Sequence, residues 1–410
     1  MNFIAPILLL LIASLGVVFT RRKAVDSLPV FVICAQTFFG FTQSLYLDFY
    51  YFSDQRYFFF TLVALFSCVC ATVLFTPFVA RRPSFPQHVL PTSLSSLYRA
   101  VFFLLLSVMT ISVYYWFGGV NLFWSLISGS LLDDFSTLRL SLYSSSQFSG
   151  AGIANQFKNV IFPISSFVLL FWLFKETRVH RGIKIYLGVF WLFFLLWSLL
   201  GTGQRAPLVY VFMSFFFSLL LLRLVNYKQI IALGGVVICL FLVFTVLNNR
   251  ADSTDALGLF SSLVTRLIYN DQYEGLLAFY YVDSLPNAVF GDWLMDLRGL
   301  HPSYKGSRLS HDIFATIHGT DRGMAGVPTI VSVLYNGGVI LVPIFYFSLG
   351  AVAVFIQHRW RSGPPTSERA AIYGSVYMLI TLFFTGAPVS LLNKGGLGVI
   401  MYILFRRLKL

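Results

Sequence analysis

Apolar residues run in long stretches along nearly the whole chain, and polar residues gather in the gaps between them. A stretch of about 20 apolar residues is long enough to cross a bilayer as a helix. Eleven spans are expected on this basis, at about residues 2–20, 28–47, 57–80, 100–117, 159–174, 185–201, 208–224, 229–247, 328–356, 371–389 and 391–405. The last is short and interrupted by the glycines of "NKGGLG". The ninth opens on Pro328, which suits a first helical turn, and is roughly 45 Å long as one helix. That exceeds a hydrocarbon core of about 30 Å, so either it starts above the membrane or the "NGG" at 336–338 breaks it.

Composition agrees with the pattern. Hydrophobic residues make up 57% of the 410 and charged residues 11%, against about 45–50% and about 25% in a soluble domain. The reading is an all-α polytopic membrane protein, one membrane domain over residues 1–410 with about 11 transmembrane helices. The first stretch has the look of a signal peptide but lacks a basic start and a small-residue cleavage site. Arg21, Arg22 and Lys23 follow it, and it is expected to be a retained helix.

Charge orients the spans. Alternating sides puts 18 of the 29 Lys and Arg on one face, with Asp26, Glu176 and Glu368 as its acids. The other face has 11 basic and 13 acidic residues. The positive-inside rule makes the first face cytoplasmic. The net charge of +13 then divides into +15 inside and −2 outside. It reports orientation and contact with anionic lipid, not nucleic-acid binding. The four cysteines (34, 68, 70, 240) fall within spans and read as small buried hydrophobes.

Two outer connections are long, at 118–158 and 248–327, and loops of that size are usually functional or separately folded. In the second, Leu259, Phe260, Leu263, Val264, Leu267 and Ile268 recur at helical spacing, as in an amphipathic helix on a membrane surface. Beyond it the stretch 297–322 turns basic. Arg298, Lys305, Arg308 and Arg322 face Asp312 and Asp321, with His301, His311 and His318 among them.

Such a cluster suits an anionic lipid headgroup, because the arginine fork pairs two phosphate oxygens and keeps its charge. Arg205, in "LLGTGQRAPLV", is expected at the same depth, and the Gly-Thr-Gly before it lets the backbone unwind and expose amides to an anion. The plainer reading of each arginine is a side chain snorkelling to headgroups. His311 is a candidate base for a sugar hydroxyl, with the plainer alternative of a solvated loop histidine. Ser310, His311 and Asp312 are sequence neighbours, which do not face one another on a helix, so a serine-hydrolase triad is a weak reading. No paired-ligand spacing for a metal occurs. Tyr269, Tyr273, Trp293 and Tyr304 can stack on sugars or anchor at the interface.

Many spans, two large outer loops, the arginine in "GTGQR" and the stretch "GVPTIVSVLYNGGVILVPIFYFSLG" together resemble Wzy-type O-antigen polymerases, relatives of the O-antigen ligases. Arg139 to Gly150 and Arg308 to Gly319 fit an Arg-x10-Gly pattern, once in each large loop. The resemblance implies a GT-C-like membrane glycosyltransferase with periplasmic loops in the bacterial inner membrane. Its expected work in lipopolysaccharide biosynthesis is to join undecaprenyl-diphosphate-linked oligosaccharide repeats without metal, nucleotide sugar or other cofactor. It implies that Arg205, Arg308 and Arg322, with Arg298 and Arg139, bind the diphosphate. His311 is then the base, with Asp312 as substitute or orienter, and Tyr304, Tyr335 and Asn336 meet the glycan. Membrane lipids and a chain-length regulator are implied partners. The alternatives are an O-antigen ligase, a lipid-linked-oligosaccharide transporter or flippase, and a glycosyltransferase of the dolichol-phosphate type. Transporters usually carry polar residues within their spans, and the spans here look almost free of charge.

Overall fold

The structure is a computed structural model that describes residues 4–19, 27–79, 90–118, 121–128, 151–177, 179–203, 206–225, 271–295, 308–319, 325–384 and 386–407, with single positions at 229, 235 and 258. The described chain is helical. In order the helices are α1 (Ile4–Phe19), α2 (Leu28–Ser44), α3 (Phe52–Val79), α4 (Leu94–Gly118) and the short α5 (Leu122–Ile127). Next, α6 runs from Ala151–Gln156 through a π-turn at Phe157–Ile161 into Phe162–Lys175. Then come α7 (Arg181–Leu200), α8 (Ala206–Leu221), α9 (Asp271–Asp283), the short α10 (Gly291–Met295), α11 (Arg308–His318), α12 (Thr329–Arg361) and α13 (Ser367–Thr381). A second π-turn at Leu392–Gly396 leads into α14 (Leu397–Arg407).

Five of these are long and apolar enough to cross a membrane: α3, α4, α6, α7 and α12. Shorter apolar helices fill Pro6–Val18, Leu28–Ser44 and Ala206–Leu221. Along α7 only 22% of the apolar window is buried, and Ile185, Tyr186, Val189 and Phe190 stand exposed. Water would penalise such a surface, whereas lipid tails solvate it. The protein is a helical membrane protein. The expected spans at 57–80, 100–117, 159–174, 185–201 and 328–356 fall on these five helices, the helix at the expected span 371–389 ends at Thr381, and 229–247 lies almost entirely outside the described residues, as does the expected surface helix at 259–268.

The chain divides into two compact units, each discontinuous in sequence. The first takes residues 1–85, 260–363 and 380–390. Its main seam joins α3 to α12, where Ala64, Cys68 and Ala71 are buried opposite Val342, Tyr346 and Ala353. In lipid such seams rest on close van der Waals packing, which small side chains allow. The start of α3 is tied to α9. Buried Asp54 accepts the Asp48 amide at 2.7 Å and the Tyr280 hydroxyl, and Arg56 meets Asp283 at 2.7 Å. Asp54 also lies in the first turn of α3, the positive end of the helix.

The second unit takes residues 86–259, 364–379 and 391–410. Glu368, at the start of α13, is 2% exposed and is held by Arg99 of α4 at 3.0 Å, Arg406 of α14 at 3.5 Å and the Ser96 hydroxyl at 2.8 Å. At the other end of α4, the Tyr115 hydroxyl donates to the Ser198 carbonyl at 2.6 Å and the Asn121 amide to the Trp197 carbonyl at 3.2 Å. These donors satisfy carbonyls of the last turn of α7 that have no partner within the helix.

One expectation needs correction. The first long loop ends at 150, not 158, because α6 begins at Ala151. Helices also begin ahead of the expected spans and there carry the buried charges Asp54, Lys158 and Glu368. The two observations share a cause. Hydropathy marks where lipid touches a helix, and a helix sheathed by protein continues through polar residues.

Candidate functional site

The site is built from a break in α12. Gly338 has φ 68° and ψ −170°, a conformation essentially reserved for glycine. The "NGG" therefore does interrupt the helix. The interruption frees the carbonyls of Tyr335 and Asn336, which accept the amides of Ala288 at 2.7 Å and Phe290 at 3.0 Å. Asn336 adds its side chain, whose Oδ1 accepts the Trp293 amide at 3.2 Å while its Nδ2 donates to the Ser332 carbonyl at 2.9 Å. The Trp293 indole donates to the Ser332 hydroxyl at 3.0 Å. Segment 288–293 is thereby docked on α12, with Val289 and Phe290 held at positive φ.

That docking delivers Asp292, which is 5% exposed. Its Oδ1 accepts the Leu309 amide at 3.0 Å, one of the first-turn amides of α11 that lacks a partner within the helix. A carboxylate there also suits the helix's positive end. The other side of α11 is anchored by Ser310, whose carbonyl accepts the Ala325 amide at 3.0 Å and whose hydroxyl donates to the Ala325 carbonyl. Leu309 and Ile313 face the interior.

Arg308, His311 and Asp312 stand at i, i+3 and i+4 and so share the opposite face of α11. Arg308 Nε lies 3.4 Å from Asp312 Oδ2. The same oxygen accepts the Tyr281 hydroxyl of α9 at 3.4 Å. The Arg308 side chain remains 83% exposed, so its terminal nitrogens are presented to a ligand while its Nε is steadied. His311 is half-buried, and among the described residues neither ring nitrogen has a hydrogen-bond partner. Burial raises the Tyr281 hydroxyl above its ordinary range, and the Asp312 charge raises it further. The hydroxyl therefore stays protonated and donating. Tyr335 lies within electrostatic reach of Asp292, Arg308 and Asp312. The face joins an exposed guanidinium, an unencumbered imidazole and two tyrosine hydroxyls, which suits an anionic ligand with a hydroxyl beside it.

Of the expected site residues, the structure brings Arg308, His311, Asp312 and Tyr335 together. Asn336 is 0% exposed and hydrogen-bonded at both ends of its amide. These bonds position segment 288–293 on α12. Ser310 is buried and turned to Ala325, away from the face of His311. Asp312 is paired with Arg308 and Tyr281. Arg205, Arg322, Arg298, Arg139 and Tyr304 lie outside the described residues. The "GTG" before Arg205 is described. It forms a turn after α7, with Gly203 at φ 69° and the Gly201 carbonyl accepting the Leu122 amide at 2.8 Å. Tyr281 and Asp292 escape sequence reasoning, because each meets α11 across a gap in sequence that carries no periodic signal.

Comparison with protein-family models, curated proteins and solved structures finds no match for this chain. Among the described residues no group of three metal-ligating side chains comes together.

Proposed function

We propose that the protein is a metal-independent membrane glycosyltransferase that polymerises undecaprenyl-diphosphate-linked oligosaccharide repeats into O-antigen at the periplasmic face of the bacterial inner membrane. The observation that carries this reading is the shared face of α11, where an exposed, Asp312-steadied Arg308 stands one turn from the unencumbered His311. In the proposed reaction an acceptor sugar hydroxyl attacks the anomeric carbon of the donor glycan. The bond from that carbon to the diphosphate oxygen breaks, and undecaprenyl diphosphate leaves. His311 takes the hydroxyl proton, and Arg308 binds the charge that develops on the leaving diphosphate. Preorganised charge of this kind is often the largest catalytic contribution. Tyr281 and Asp312 hold the arginine, and Tyr335, within electrostatic reach of Arg308 and Asp312, would meet the glycan. A chain-length regulator is the expected partner.

The test replaces Arg308 by Ala and Lys, and His311 by Ala, in a strain lacking the gene, with surface polysaccharide read as a ladder on a gel. Arg308→Ala is expected to cut polymerisation by about 10²- to 10³-fold, leaving caps of a single repeat. Complete loss of caps would instead make the enzyme a ligase. Full ladders from both alanine variants would overturn the reading.

A further inference from the structure

The second unit contains a lysine to which the reaction above gives no task. Lys158 sits on the π-turn of α6 and is 1% exposed. Among the described residues, no hydrogen bond or ion pair engages its amine. The described acids of this unit are Glu176 and Glu368. Glu176 follows the far end of α6, about 26 Å along the helix at 1.5 Å per residue, and Glu368 is taken by Arg99 and Arg406. A buried charge without a partner is costly, and an ionisable residue within a membrane helix marks a functional site by default.

The surroundings are built to receive something. The residues flanking Lys158 grip the facing π-turn at 392–396. Gln156 Nε2 donates to the carbonyls of Leu392 at 2.8 Å and Asn393 at 3.1 Å, and its Oε1 accepts the Gly398 amide at 2.9 Å. Asn159 Nδ2 donates to the Lys394 carbonyl at 3.5 Å. Gly395 has φ 139°, and a Cβ there would collide with Val160. Two π-turns thus pack together, a feature that recurs at functional sites, and the second carries another lysine, Lys394. The amide oxygen of Asn159 and the hydroxyl of Thr202 are buried without hydrogen-bond partners. Thr202 belongs to the turn between α7 and α8, and both helices pack on the π-turn of α6.

Buried Lys158, with no acid beside it among the described residues, calls for an anion, and the compact ammonium suits phosphate as a point charge. A ligand reaching this unit through its apolar surface must itself be amphiphilic. We propose that the paired π-turns form a binding site for the phosphate headgroup of a lipid, with Lys158 as its principal ligand. Two lipids carry that chemistry, a polyprenyl diphosphate and an anionic phospholipid. Which of them is preferred rests on the proposed function, while the phosphate site itself does not.

The experiment uses the full chain purified in maltoside detergent, with undecaprenyl diphosphate or phosphatidylglycerol added. Binding is read by native mass spectrometry and by the lipid-dependent rise in melting temperature. Lys158→Met is expected to weaken binding at least tenfold and abolish the rise, while Lys158→Arg retains both. Asn159→Asp, which supplies a competing carboxylate, is expected to weaken binding similarly and covers the case in which Lys158→Met fails to fold. Loss confined to the diphosphate identifies a substrate site, and loss confined to the phospholipid identifies a structural lipid site. Wild-type binding of both lipids by Lys158→Met or Asn159→Asp would overturn the proposal, as would no binding by the wild type. Neither readout involves polysaccharide, so a protein that binds lipid but makes no ladder refutes the proposed function and leaves this site standing.

Discussion

Replacing Gly338 by alanine tests the origin of the site. At φ 68° and ψ −170°, an L-residue is strained by about 1–3 kcal/mol. The new Cβ would also stand 3.0 Å from the Asn287 amide nitrogen, so that side chain must give way. If α12 heals into a continuous helix instead, the carbonyls of Tyr335 and Asn336 abandon the amides of Ala288 and Phe290. Each lost bond costs about 1 kcal/mol net. By either route segment 288–293 loosens, and with it the Asp292 bond to α11. At 1.4 kcal/mol per factor of ten, strain alone raises local opening by about 5- to 150-fold. Amide exchange over 286–295 and 308–318, followed by mass spectrometry on detergent-solubilised protein, reads this directly. Gly188→Ala is the control, because nothing lies within 4 Å of its added Cβ. Wild-type protection of Ala288, Phe290 and Leu309 in Gly338→Ala would refute the reasoning that this break builds the site.

Two further outcomes follow from the same contacts. Asp292→Ala is expected to free the Leu309 amide and destabilise the first turn of α11 by about 1–2 kcal/mol, with Asp292→Asn losing less; faster exchange at 309–311 and a weakened polysaccharide ladder are the measurements. Tyr280 is raised well above the ordinary tyrosine value, first by burial and then by its bond to Asp54. A raised value means the folded state holds the proton more tightly, so this contribution is whole below about pH 10. It is lost as pH climbs from there through the raised value. Tyr280→Phe should therefore flatten the alkaline fall in melting temperature, and an unchanged slope between pH 9 and pH 11 would contradict the assignment.

Much of the site was legible in particular residues. The run "RLSHDIF" carries Arg308, His311 and Asp312 close together in sequence, and the helix of α11 then puts them on one face. "NGG" announces a break because two consecutive glycines weaken a helix locally, whatever surrounds it. Tyr281 and Asp292 were not legible, since a lone tyrosine and one acid among many gain meaning only when packing brings them to α11. The burial of Asn336 was not legible for the same reason, because its residue type says nothing about which side of the break its amide turns.

By itself the sequence determined the helical character, the membrane as solvent, the place of the five long apolar helices and the basic stretch that holds Arg308 and His311. These follow from local properties, namely apolar length, helical period and backbone preference. Only the tertiary structure decided that the chain divides into two units interleaved in sequence, that α6 continues through Lys158 and buries it, and that Asp292 and Tyr281 fix the orientation of Arg308 and Asp312. Each of these depends on contacts between segments far apart along the chain, and hydropathy carries no information about which segments will meet.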